Sequence, residues 1–229
     1  MPEVAVVIPY RGGCPHRERA WQYVRERYAS THPDWEVVEA SAPEGPWCKG
    51  AAVGPAVEAT DAEVVIVADA DVWTDGLERA VYAVVSGVAA WSVPHNLVHR
   101  LTTAGTDAYL AGEPWEGNRK LLTRRAYPGV WGGGVVVAQR DALLEAPIDP
   151  RFCGWGQEDQ SWALALHCLH GTGWRGDAPL VHLFHPSEER LTGQKGSRES
   201  WGLFQRYRQA RRDPEAMRAL ICEGTGVAA

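Results

Sequence analysis

The sequence lacks an apolar run long enough to cross a bilayer, and its start lacks the charged-then-hydrophobic pattern of a secretory leader. A membrane span and a signal peptide are therefore not expected. It also has no Cys-x-x-Cys pair. The five cysteines, Cys14, Cys48, Cys153, Cys168 and Cys222, are scattered and odd in number. That pattern predicts free thiols in a reducing compartment, hence the cytoplasm. Basic charge is short as well. The 23 Lys and Arg are outnumbered by 29 Asp and Glu, for a net charge of −6. The broad positive footprint of a nucleic-acid binder is missing, which disfavours that partner. No repeat, low-complexity tract or linker interrupts the 229 residues, so we read one domain spanning 1–229. Phe is scarce at 3, whereas Trp reaches 11. Most of these indoles are expected to pack internally, and some to stack on sugars.

What is present alternates strand and helix signals. Residues 4–8 form an apolar run stopped by Pro9, and a charged, helix-like stretch follows at 16–30. Residues 35–39 are a second strand candidate, and 47–59 read as a helix rich in small residues. Residues 63–68 are continuously apolar after Glu63, as expected of a central parallel strand covered on both faces. A helix at 75–86, opened by Thr74 or Asp75, and a strand at 88–93 complete a β-α-β-α-β-α-β order. That order predicts a mostly parallel central sheet with helices on both faces. The stretch 94–128 has no clean period, and long irregular segments are often functional. Beyond it we expect a strand at 135–138, short and longer helices at 140–146 and 158–170, a strand at 180–184 and a final helix at 201–222.

Asp69-Ala70-Asp71 follows directly on the apolar run. In open α/β sheets, ligands bind beyond the carboxyl ends of the strands. Two carboxylates spaced i, i+2 there repel unless a cation sits between them, and a hard ion such as Mg²⁺ or Mn²⁺ suits oxygen ligands. Helix capping or a solvated turn is the structural alternative. The pattern Val64-Val65-Ile66-Val67-Ala68-Asp69-Ala70-Asp71 resembles the DxD strand of the GT-A nucleotide-diphospho-sugar glycosyltransferases. Val7-Ile8-Pro9-Tyr10-Arg11 is similar to that family's opening strand and donor-binding turn. Lys49-Gly50-Ala51-Ala52, running to Ala59, is similar to the helix before its DxD strand. The resemblance implies a Rossmann-like GT-A α/β fold. It implies that Asp71 binds the metal, that Asp69 contacts the ribose or the metal shell, and that Pro9, Arg11, Glu39 and Lys49 lie on the nucleotide side.

The second motif runs from Asp149 to Asp159 as Asp-Pro-Arg-Phe-Cys-Gly-Trp-Gly-Gln-Glu-Asp, preceded by Trp131-Gly132-Gly133-Gly134. Glycines beside an aromatic allow close approach to backbone and ring. Glu158 and Asp159 fall in the first turn of a helix, where the dipole favours acids; a carboxylate there can also act as a general base. The segment resembles the C-terminal catalytic motif of the galactosyltransferase and polypeptide N-acetylgalactosaminyltransferase group. That resemblance places the base of an inverting transfer on Asp159, with Glu158 orienting the acceptor. It places Trp131, Gly133, Gly134, Trp155 and Gly156 against substrate. Gln160 departs from the further acid common in those enzymes, which bears on acceptor contacts.

His182 and His185 follow a short apolar segment, and the same resemblance implies a late histidine in the metal shell. His167-Cys168-Leu169-His170 with either of them has zinc-like ligand chemistry, but the spacing fits no zinc module. Lys195 and Arg198 lie in a segment that could meet a diphosphate. The resulting expectation is a Mn²⁺- or Mg²⁺-dependent glycosyltransferase of hexosyltransferase type, with a nucleotide-sugar donor, UDP-linked for preference, and an unidentified acceptor. A nucleotidyltransferase and a non-catalytic sugar-binding module are the alternatives.

Overall fold

The computed structural model describes residues 2–154, 156–186 and 198–225. Strand β1 (Val4–Pro9) lies between β2 (Glu36–Ala40) and β3 (Val64–Ala68), parallel to both. A short β4 (Val72–Trp73) follows β3 almost at once. The remaining strands are β5 (Trp91–Arg100), β6 (Tyr127–Pro128), β7 (Val135–Gln139) and β8 (Trp174–His182). The sheet runs β2-β1-β3-β7-β5-β8-β4, with β6 added to β5. β7 is antiparallel to both β3 and β5, while β8 is parallel to β5. Thus β1, β2, β3, β5 and β8 point one way, and β4, β6 and β7 the other. The sheet is mostly parallel in strand direction, as expected, with β7 wedged against the trend.

Alternate residues of the central strands feed two cores, the period-2 rule of a strand buried on both faces. Val7, Val65 and Val67 pack with α2 (Lys49–Ala59), α6 (Glu158–His170), α7 (Arg198–Ala210) and α8 (Pro214–Thr225). Val6, Ile8 and Ile66 pack with α1 (Pro15–Thr31) and α3 (Leu77–Val85). Among the described indoles, Trp21, Trp73, Trp91, Trp115 and Trp162 are buried and only Trp201 is exposed, so packing accounts for most of them.

The structure redraws several expected boundaries. The strand expected at 88–93 begins at Trp91 and runs on to Arg100, through Pro94. Register shifts on either side of His95 accommodate a residue that cannot donate to the ladder. The unpatterned stretch after it supplies α4 (Thr103–Leu110), a single 3-10 turn and β6, and α5 (Arg140–Glu145) follows β7. The final helix is two. Asp213 accepts from the backbone N–H groups of Glu215 and Ala216, and Pro214 starts α8 where its missing N–H costs nothing.

The cysteine expectation is corrected for one pair. Cys48 and Cys153, 105 residues apart, form a disulfide, leaving Cys14, Cys168 and Cys222 as free thiols. The start of α2 packs against the loop before α6, and that tertiary contact brings the sulfurs together. The argument for a reducing compartment lapses with it. No helix among the described residues is long and apolar enough to cross a membrane.

Candidate active site

The chain leaves β3 at Asp69, whose N–H donates to the Gly134 carbonyl at 2.8 Å, and turns within two residues into β4. Because β4 pairs with the end of β8, Val72 lies opposite His182, and Leu183 N–H donates to the Asp71 carbonyl at 2.8 Å. Strand pairing thus carries Asp71 to the histidines. His185 Nε2 stands 3.1 Å from Asp71 Oδ2, and His182 Nε2 3.9 Å from Oδ1. One donor atom from each of Asp71, His182 and His185 falls within 4.8 Å of the others, the one such group of three found among the described residues.

The tautomers follow from the outer contacts. His182 Nδ1 is 2.8 Å from the Leu183 carbonyl, and His185 Nδ1 is 2.8 Å from that of Pro186. A carbonyl only accepts, so each Nδ1 donates outward; Arg100 only donates, so His182 Nε2 keeps its lone pair, whereas His185 Nε2 faces the Asp71 carboxylate. Burial lowers the His182 pKa, Arg100 and His185 lower it further, and Asp71 offsets only part of this, so the ring is held neutral. Two imidazole nitrogens and a carboxylate within reach of one point are the donor types a divalent cation takes. The residues present therefore fit the implied metal in donor type, and a cation at His182 would displace the hydrogen bond its Nε2 accepts. Arg100, at the end of β5, donates from Nη2 to His182 Nε2 at 2.9 Å. Sequence reasoning missed Arg100, since it lies in the stretch without a period.

Asp69 does not join that group. Its Oδ1 lies 2.8 Å from Lys49 Nζ, and the same ammonium is 3.1 Å from Asp159 Oδ1. Burial alone would lower the Lys49 pKa, but Asp159 and Asp69 outweigh it and hold the ammonium protonated. Asp159 is raised by burial and by Asp69, against the opposing pull of Lys49. Glu158 is pushed up to about 7 by burial and by Asp159, and its Oε2 accepts the Gly156 N–H at 2.9 Å. Asp69 and the acidic start of α6 are thus joined through Lys49.

Glycines make this closeness possible. A side-chain carbon at Gly132 would meet the Asp159 carbonyl oxygen at 2.0 Å, and one at Gly133 would meet Asp159 Oδ2 at 3.0 Å. Gly134 adopts φ 77° and lies against Leu180 and His95. The triple glycine therefore seats the first turn of α6 on the edge of β7. Trp131 is half-buried, its ring edge-on to Trp91 and His167 and beneath the Arg175 guanidinium at 4.4 Å.

Other expected residues are placed less centrally. Arg11 donates to the carbonyls of Gly45 and Pro43 and lies over Trp47. Pro9 ends β1 opposite Ala40, and Glu39 is exposed on β2 opposite Ile8. Arg198 begins α7, exposed. Trp155 and Lys195 lie outside the described residues. The zinc alternative is not supported: Cys168 Sγ donates to the Ala210 carbonyl, and His167 sits between Trp91 and Trp131.

No protein-family model matches the sequence, and neither does any curated protein. Solved structures do. The chain superposes on GalNAc-T7 bound to UDP, GalNAc and Mn²⁺ with a TM-score of 0.53 at 14% identity, over 91% of this chain and 48% of that one. It thus spans about half of that protein. Two others are glucosyl-3-phosphoglycerate synthase from Mycobacterium tuberculosis (TM-score 0.48, 14% identity, 100% of this chain and 81% of that one) and a Pyrobaculum calidifontis mannosyltransferase (0.45, 15%, 100% and 76%). The first likeness establishes the fold: the chain adopts the GT-A fold.

Proposed function

We propose that this protein is a metal-dependent glycosyltransferase that moves a hexose from a nucleotide-sugar to an acceptor hydroxyl with inversion, the donor being UDP-linked. One observation carries the reading: a cation-ready group, Asp71, His182 and His185, lies two residues along the chain from a carboxylate that shares Lys49 with Asp159. That is the arrangement a displacement at a sugar carbon needs, with a place for a leaving diphosphate beside a place for a base. Asp159 takes the proton of the acceptor hydroxyl. The oxygen attacks the anomeric carbon, the bond from that carbon to the diphosphate oxygen breaks, and a single displacement inverts the centre. Asp71, His182 and His185 would hold a divalent ion, which would supply charge neutralisation for the departing diphosphate. Glu158, folded back on Gly156, orients the acceptor and the start of α6.

The test is incubation of the full chain and Mn²⁺ with UDP-glucose, UDP-galactose and their N-acetylhexosamine counterparts, scoring free UDP and free sugar. We expect UDP release from at least one donor. Pyrophosphate release from a nucleoside triphosphate and sugar phosphate would instead indicate a nucleotidyltransferase. Binding of a donor without any release would indicate a sugar-binding module.

A further inference from the structure

The proposed reaction uses Asp159 and the cation-ready group but gives no role to the ammonium that bridges Asp159 and Asp69. Lys49 opens α2, where the helix dipole disfavours a cation, and its side chain is only 10% exposed. Both circumstances oppose a lysine. It is kept there by two carboxylates from separate elements, Asp69 at the end of β3 and Asp159 in the first turn of α6.

Its position has little latitude. The preceding Cys48 is bonded to Cys153, and Gly154 N–H donates to the Trp47 carbonyl at 2.7 Å. A side-chain carbon at Gly50 would stand 2.4 Å from the Ile148 carbonyl oxygen, so the helix start lies flush on that loop. The same loop leads, through left-handed Gln157 (φ 69°), into Asp159. Lys49 and Asp159 are thus set against each other by covalent and backbone contacts on both sides. Within the Asp159 carboxylate, the ammonium takes Oδ1, whereas Oδ2 lies on the other side, against the backbone of Gly133 and near Val130, where a side-chain carbon would stand 3.0 Å from it.

We propose that Lys49 is a positioning residue for sugar transfer: it grips Asp159 by Oδ1, so that Oδ2 is presented to the acceptor hydroxyl, and it keeps Asp69 and Asp159 from repelling each other apart. The inference rests on Asp159 being the base, and it differs from the donor-side role that resemblance alone implies for Lys49.

A double-mutant cycle tests it, using Lys49→Met, Asp159→Asn and the double variant of the full chain. UDP release in Mn²⁺ is measured from the fastest donor of the panel above, and UDP affinity by calorimetry. Asp159→Asn should slow release about 10²- to 10⁴-fold, as loss of a general base does. Lys49→Met should slow it about 10- to 100-fold, the scale of misplacing a reacting group. The double variant should match Asp159→Asn within about twofold, because without the base there is nothing left to position. UDP affinity should hold within about twofold in all three. Wild-type rates in Lys49→Met, or penalties that multiply in the double variant, overturn the inference. So does loss of UDP affinity in step with rate, which would make Lys49 a donor contact. A wild-type rate in Asp159→Asn would instead strike the base assignment, and a wild-type chain inert toward every donor would strike the enzymatic reading. If Lys49→Met does not fold, Lys49→Gln replaces it in the same cycle; its amide still donates to a carboxylate, so its penalty should be smaller than about 10-fold yet measurable, and should likewise vanish in the Asp159→Asn background.

Discussion

The two corners of the cleft neutralise their carboxylates in opposite ways. Around Asp69 and Asp159 the cation belongs to the chain: Lys49 is buried, doubly paired and locked in place when α2 docks. Around Asp71 two imidazoles turn Nε2 inward, their Nδ1 atoms set against backbone carbonyls, and Arg100 donates to one of them. One corner is completed by folding, and the other gathers a carboxylate and two imidazole nitrogens that a cation from solvent can join. A charge built into the chain stays with the fold, whereas a charge drawn from solvent can be taken away. The division suits a site in which the base must be in place before substrate arrives and the leaving group arrives with its own negative charge.

The largest expected effect comes from stripping the solvent-supplied side. Excess chelator should reduce UDP release to that of a protein-free control, and Mn²⁺ should restore it. Asp71→Asn should weaken Mn²⁺ binding by more than about tenfold, read by calorimetry, since even partners of metal ligands are worth about 10–100-fold. The thermal midpoint in chelator should stay near that of the untreated chain, because Lys49 holds its own corner together. Full turnover in chelator would erase the distinction between the corners.

A middling effect is expected from the joint that seats the built-in side. Gly132→Ala puts a carbon against the backbone of Asp159, a clash that no side-chain rotation relieves. It should destabilise the fold by about 1–3 kcal/mol, as overpacking does, measured by urea unfolding. Release of UDP should fall with it, since the start of α6 must shift. A substitution tolerated on both counts would show that α6 is not seated on this glycine.

The smallest effect is a pH dependence. Glu158 is raised from 4.5 to about 7, chiefly by burial, so the folded chain binds its proton more tightly than the unfolded chain does. The stabilisation this gives is fully present below about pH 4.5 and is lost as pH rises toward 7. Glu158→Gln cannot lose it. The stability of the variant relative to wild type should therefore grow between pH 5 and pH 8, by on the order of 1–3 kcal/mol. Parallel urea midpoints at the two pH values check this, and equal differences at both would show that Glu158 is not buried as described.

Much of the framework was legible because it is written locally. The run ending in Ala68 announces a strand buried on both faces, and Asp69 and Asp71 had to emerge at its carboxyl end, where α/β sheets bind ligands. Glu158 and Asp159 fall at a helix start that the dipole and the preceding glycines mark. Residues 94–128 stayed opaque because Pro94 and the register shifts around His95 interrupt the period that reveals a strand, and Arg100 was lost with them.

The sequence by itself determined the central strands β1, β2, β3 and β7, most helix starts and the presence of two acidic motifs, because propensity, periodicity and capping act over a few residues. Tertiary structure alone decided what those acids face. Asp71 meets both histidines because β4 pairs with the end of β8. Asp69 turns to Lys49, and Lys49 reaches Asp159 across 110 residues of chain. Cys48 finds Cys153 across 105. Contacts at such separations depend on strand order and register, which no local pattern carries, and so the charge partners of this site became visible only in the folded chain.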